Sequence, residues 1–282
     1  MLEYSLPPAR FQGTLPDGTA CAVYGQGQPV VFVHGVGMNQ TVWAPQVMAF
    51  ARDHQVIVFD MLGHGRSVLP PEAPNLADYA EQLLRLLDAL SLPAAHIVGH
   101  SMGALVSLAF ALAHPERCLS VSALNAVFCR TPEQRAAVEA RASTLADIGS
   151  QATIEATLAR WFGHPVPAPF AAAAHLARQL LADVRPEGYA RTYRLFATSD
   201  AAHATELARL RVPALFMTGE RDPNSTPAMS AAMAALVPGA RLSVLTGERH
   251  MMCLTAPAQV HAELHPFLLA HALRQPTTQE AA

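Results

Sequence analysis

The run Gly99-His100-Ser101-Met102-Gly103 sets a serine between two glycines, after an apolar β-prone stretch and ahead of small helix-forming residues. A serine on a sharp strand-to-helix turn exposes its hydroxyl, and flanking glycines remove side chains that would collide there. Ser101 is therefore the candidate nucleophile. A hydroxyl is a weak nucleophile near neutral pH and needs a base to take its proton, a task suited to histidine. Thirteen histidines compete, so position decides. His250, in Thr-Gly-Glu-Arg-His-Met-Met, follows the last predicted strand and can reach the top of a sheet. His100 adjoins the serine, but neighbours on a tight turn point apart, and His34 and His64 sit at other strand ends where they brace loops. The base in turn needs a carboxylate to orient it and stabilise the imidazolium. Asp222, in Glu-Arg-Asp-Pro-Asn, is placed after a strand, with Glu220 as the substitute. The end of the strand after the serine's helix would also suit an acid, but it holds Asn125, and an amide carries no charge. Asp60 organises its own glycine-rich turn.

These side chains need a scaffold that brings strand ends together. Continuous apolar runs at 29–35, 55–60, 95–100, 119–124, 213–219 and 241–247 read as strands buried on both faces. Helical stretches lie at 41–52, 76–90, 102–113, 227–236 and 257–273. In the second, Leu76, Tyr79, Ala80, Leu83, Leu84, Leu87 and Leu90 form an apolar stripe. Strand alternating with helix predicts an α/β fold with a mostly parallel, doubly wound sheet. A hairpin around 10–13 and 19–24 precedes it, turning at Pro16-Asp17-Gly18. Residues 130–210 break the alternation and read as three or four short helices inserted as a cap, or lid, over the strand ends. The expected division is therefore a core of 1–129 and 211–282 with a helical cap of 130–210. The tail after Arg274 is polar and expected to fray.

The chain has 282 residues, 51% hydrophobic and 15% charged, which argues against intrinsic disorder. All 19 basic residues are arginine, yet the net charge is −3, which disfavours nucleic-acid binding. The sequence contains no apolar run of membrane-spanning length and no basic-then-apolar leader, so a cytoplasmic protein is expected. Cys21, Cys118, Cys129 and Cys253 form no C-x-x-C pair and read as free thiols, mostly packing, with Cys253 as a buried spacer near His250. No H-E-x-x-H pattern offers a metal site, and neither metal nor cofactor is expected. A monomer or homodimer fits the absence of a coiled-coil seam.

The order strand, His34-Gly35-Val36-Gly37, strand, Asp60-Met-Leu-Gly-His-Gly-Arg-Ser67, strand, Gly99–Gly103, helical insertion, Gly219-Glu-Arg-Asp-Pro223 and late histidine resembles the α/β-hydrolase family over nearly the whole chain. The resemblance is greatest to small bacterial hydrolases such as 3-oxoadipate enol-lactonase and related carboxylesterases. It implies the chain order Ser101, Asp222, His250. It also implies an oxyanion hole from the main-chain N–H groups of Met102 and Val36, with Gly37 as a neighbouring possibility. Independently, the first N–H groups of a helix beginning at Met102 lack intrahelical partners and sit at the positive dipole end. The expected activity is hydrolysis of a small carboxylic ester or lactone through an acyl-enzyme. Carbon–carbon cleavage of a ring-fission product stays open, although His100 departs from the Gly-Asn-Ser-Met-Gly of such relatives, as does a ligand-sensing role with little turnover. For the substrate, Trp43, Trp161 and Phe162 are candidate contacts, with Phe128, Phe170 and Phe196 as further aromatics near the insertion. Arg130, Arg191 and Arg194 are candidate clamps for a carboxylate.

Overall fold

Phe11–Thr14 (β1) and Ala20–Tyr24 (β2) pair as the expected antiparallel hairpin in the computed structural model, which describes residues 4, 6–149 and 151–272. Six more strands complete the sheet: Gln28–Val33 (β3), His54–Phe59 (β4), Ala95–His100 (β5), Cys118–Leu124 (β6), Ala214–Gly219 (β7) and Arg241–Leu245 (β8). Their order is β1-β2-β4-β3-β5-β6-β7-β8, with β2 antiparallel to β4 and every later pairing parallel. The mostly parallel, doubly wound sheet expected from the alternation is met. The β3–β5 pairing is central, and all of β5 is buried, as a strand covered on both faces must be.

The helices follow in chain order. Ala44–Phe50 (α1) is preceded by a 3₁₀ turn at Gln40–Trp43, so the single helix expected over 41–52 is split. The Asn39 side chain caps the turn at Thr41 N–H, and Pro45 is tolerated in the first turn of α1. Leu76–Ala89 (α2) opens on a capping box in which Asn75 and Asp78 satisfy each other's N–H groups. Its stripe buries Tyr79, Leu83, Leu86 and Leu87, and Leu84 is only half-buried. Met102–Ala113 (α3) is sandwiched between the sheet and α2 and is apolar almost all round.

Between β6 and β7 lie Pro132–Ile148 (α4), Ile154–Phe162 (α5), Ala171–Ala182 (α6) and Pro186–Thr198 (α7). Pro227–Leu236 (α8), Met252–Thr255 (α9) and Pro257–Ala270 (α10) follow β7 and β8. The inserted segment is anchored to the rest by polar contacts. Arg185 donates to Ser67 O and Arg191 to Pro70 O, each at 2.6 Å, and His203 Nε2 lies 2.9 Å from Leu105 O. The Tyr79 hydroxyl meets Thr192 Oγ1 at 2.7 Å.

Of the cysteines, Cys21, Cys118 and Cys253 are buried, but Cys129 is exposed in a left-handed conformation, at φ 45°, on the loop after β6. It does not pack as expected. Burial pushes the Cys253 thiol up to about 12, so the spacer reading of Cys253 accords with an inert thiol. Among the described residues, no helix is long and apolar enough to cross a membrane.

Leu83 is fully buried where α2 meets the core. Leu83→Ala is expected to lower unfolding free energy by about 2–5 kcal/mol. Urea titration checks this: the midpoint should fall with the slope unchanged, and an unaltered midpoint would mean that α2 does not bear on the core.

Candidate active site

Ser101 is the single residue between β5 and α3. The strand ends at His100, Ser101 adopts φ 56° and ψ −117°, and the helix starts at once with Met102. That conformation is rare for a non-glycine residue and costs on the order of 1–3 kcal/mol. The flanking glycines make it attainable. A Cβ on Gly99 would lie 2.1 Å from Gly103 O, and one on Gly103 would lie 2.2 Å from Val33 O. Strand, turn and helix therefore approach closer than any side chain permits, and Ser101 is left at the carboxyl rim of the sheet.

Two other strand ends supply the partners. His250, on the loop after β8, places Nε2 3.2 Å from Ser101 Oγ and Nδ1 2.7 Å from Asp222 Oδ2. Because a carboxylate only accepts, the imidazole proton belongs on Nδ1, and Nε2 turns a lone pair toward the hydroxyl. Asp222, after β7, is buried and further bonded. Asn125 Nδ2 donates to Oδ2 at 2.8 Å, and the N–H groups of Asn224 and Ser225 donate to Oδ1 at 2.8 and 3.2 Å. Burial alone would raise this carboxyl, but the facing His250 and these donors prevail and hold it below its ordinary value. His100 fixes the loop from below, its Nε2 2.8 Å from His250 O, and Trp161 of α5 stacks over the His250 ring at 5.8 Å.

The loop after β3 faces the serine. His34 and His64 accept main-chain N–H groups on Nε2, from Met61 at 2.9 Å and from Gly37 at 3.0 Å. Each Nδ1 therefore carries the proton, directed at Gly35 O in the first and Leu62 O in the second. With Gly37 N–H so occupied, the neighbouring Val36 N–H is the loop donor left, and the Met102 N–H is unclaimed at the helix start. Among the described residues neither bonds to a protein acceptor. Asp60 holds the adjoining turns by accepting from Gln40 N–H at 2.9 Å and Arg66 N–H at 3.0 Å.

Val36, Ser101, His250 and Trp161 line one cavity of about 30 Å³, close to the room of one water. The other expected contacts lie elsewhere. Trp43 is fully buried against Phe32 and His100, and Phe162 is packed in the core. The Arg130 guanidinium is buried, held by Asp200 and the carbonyls of Phe196 and Ala197, so it is not at the serine. Arg191 is paired with Glu187, and Arg194 is exposed. Phe196 does line the cavity as expected, and Arg141, Arg160, Tyr189, Tyr193, Thr157 and Asn224 complete the walls. One signal in the sequence pointed their way: Arg160 falls three residues after Thr157 and beside Trp161, so it borders the buried face of its helix. Asn125, an amide at a strand end where the sequence alone suggests an acid is missing, turns out to be a donor to one.

Residues 28–257 match the family described as alpha/beta hydrolase fold. The chain is 35% identical over 244 residues to the (E)-2-((N-methylformamido)methylene)succinate hydrolase of Acinetobacter baylyi, covering 86% of this chain and 91% of that protein. It is 31% identical over 197 residues to 3-oxoadipate enol-lactonase 1 of the same species, covering 70% and 72%. The solved enol-lactonase of Burkholderia xenovorans LB400 superposes with a TM-score of 0.82 at 26% identity, over 90% of this chain and 98% of that one. The expected fold and the expected likeness to enol-lactonases are both met.

Burial lowers His34 to about 4 and His64 and His100 to about 3, against an ordinary value of 6.5. The unfolded chain takes up these protons at the ordinary value, and the folded chain refuses them until far lower pH. Their contribution to stability is complete above pH 6.5 and is lost as pH falls toward 4 and then 3. Unfolding free energy should therefore drop by about 1.4 kcal/mol per pH unit for each such histidine between pH 6 and 5. Denaturant titrations across that window check this, and a flat profile would show that these imidazoles are solvated.

Proposed function

The chain belongs to the alpha/beta hydrolase family and is a hydrolase, and within that family we propose that it is a serine hydrolase cleaving a small carboxylic ester or lactone through an acyl-enzyme. The observation that carries this reading is the continuous chain of contacts from Asp222 through His250 to Ser101, at 2.7 and 3.2 Å. As Ser101 Oγ attacks the acyl carbon, its proton passes to His250 Nε2, and Asp222 stabilises the imidazolium. The carbonyl oxygen gains negative charge and is met by the N–H groups of Val36 and Met102, an arrangement typically worth about 10²–10³ in rate per donor. The imidazolium returns its proton to the leaving oxygen, and a water activated by His250 then releases the acid. The 3.2 Å contact is long for a resting pair, as is common before substrate tightens it.

Residues 130–210 are read as a cap. The cavity over Ser101 has room for only a few atoms, and the rest of a substrate would extend into the adjoining space walled by Arg141, Arg160, Tyr189 and Tyr193 of the inserted helices. A second reading is amide cleavage. It is favoured by the relative whose named substrate contains an N-methylformamido group, since the same serine chemistry attacks an amide carbon.

Ser101→Ala is expected to lower kcat/KM on short nitrophenyl esters and enol-lactones by at least about 10³-fold. A fluorophosphonate should add its phosphonyl group to Ser101 in wild type alone, as read by peptide mass spectrometry. Turnover persisting in the alanine variant, or labelling at another residue, would overturn the assignment. N-acyl enamines run alongside the esters decide between the two acyl classes.

A further inference from the structure

Two cations face the serine's cavity without an anion. Arg160, on α5, donates Nη1 to Ala156 O at 3.2 Å and Nη2 to Thr157 Oγ1 at 3.1 Å, both within its own helix. Arg141, on α4, donates Nε to the Tyr193 hydroxyl of α7 at 3.3 Å. A guanidinium has five N–H donors, so most of this capacity is unspent, and what is used goes to neutral acceptors. Among the described residues no carboxylate pairs with either group. Other arginines of the same insertion have carboxylates, Arg130 and Arg135 sharing Asp200, Arg178 pairing with Glu155 and Arg191 with Glu187, whereas Arg185 donates to Ser67 O and Arg194 is exposed, both away from the serine's cavity.

Their place makes the pair informative. Both line the cavity that holds Ser101 and His250, and both line an adjoining lobe of about 170 Å³ whose remaining walls include Tyr189, Tyr193 and Thr157. Two like charges held together in a partly dry site repel and are poorly solvated, and burial together with the neighbouring Arg141 lowers Arg160 from its ordinary value. Such an arrangement weakens the ligand-free protein unless an anion neutralises it. Guanidinium forks match a carboxylate in two-point geometry, and aromatic walls fit the short carbon chain that would carry one.

Resting on the hydrolase reading above, we infer that Arg141 and Arg160 form an anion subsite that selects acyl substrates bearing a free carboxylate beside the bond to be cleaved. The subsite lies on the two helices α4 and α5, and the reacting groups lie on the sheet. Recognition and chemistry thus come from separate parts of the chain, and the salt bridge to substrate also holds α4 and α5 down over the serine.

The test separates binding from turnover. Glutarate is titrated by calorimetry into Ser101→Ala protein, with uncharged glutaramide as the control. Glutarate is expected to bind and glutaramide not to, with affinity falling roughly tenfold or more when Arg141→Met or Arg160→Met is added. In catalysis, the kcat/KM ratio of 4-nitrophenyl hemiglutarate to 4-nitrophenyl pentanoate should exceed about ten in wild type and fall toward one in each methionine variant, through KM. Circular dichroism establishes that these variants are folded. Should one not be, the corresponding Arg→Lys variant keeps the charge, loses the fork, and is expected to weaken glutarate several-fold. Equal binding of glutarate and glutaramide, or glutarate affinity indifferent to both arginines, would overturn the inference. Arginine-dependent glutarate binding by a protein inert toward every ester would instead sink the ester reading and leave the subsite standing.

Discussion

The turn between β5 and α3 is the constraint on which the rest of the site depends. A serine can hold φ 56° there because two glycines let the helix start, the strand end and the β3 carbonyls approach within distances that a Cβ would violate. The strain is local, and the price is met by packing on both sides of it: β5 is wholly buried between β3 and β6, and α3 is buried along almost its whole length. The same turn starts α3 at the residue after Ser101, so the first N–H of the helix lies next to the serine without a protein acceptor among the described residues. Position, exposure and electrostatics of Ser101 therefore share one cause.

Around that turn the rim separates charge from neutrality. Four histidines near the strand ends, His34, His64, His100 and His250, are buried, and the first three are held neutral by burial, each spending a ring nitrogen on a main-chain group. They act as uncharged braces for the loops that carry the N–H donors and the His250 backbone. One buried acid, Asp222, keeps its charge because His250, Asn125 and two main-chain N–H groups all face it. Of the four rings, His250 is the one whose nitrogen meets this carboxylate directly, at 2.7 Å. The arginines of α4 and α5 that line the same cavity present the reverse sign, so an anionic support behind the base is accompanied by cationic side chains in the walls.

The architecture was legible because each element announced itself locally. Continuous β-branched runs marked the strands to within two or so residues, and the helices over 102–113 and 227–236 fall on the bounds read from spacing. Errors lie where a local rule competes with packing. The run expected as strand to residue 35 leaves the sheet after Val33, since His34 turns its ring inward to accept the Met61 N–H. The expected helix over 41–52 divides at Trp43, whose ring is drawn fully into the core. Arg130 looked available from its position at the start of the insertion, yet Asp200, seventy residues on, claims it.

By itself, then, the sequence determined the sheet, the order of its elements and the residue types at three strand ends, because glycine spacing and apolar periodicity are properties of neighbouring residues. Only the tertiary structure decided that Asn125 donates to Asp222, that Gly37 is engaged by His64 and so leaves Val36, and that Arg141 and Arg160 line the cavity of Ser101 while Arg130 lines only a neighbouring one. Those outcomes depend on which groups from distant segments meet in a dry space and which partner claims each donor first. Pairing of that kind has no period along the chain, and it becomes visible only when the strand ends and the inserted helices are brought together.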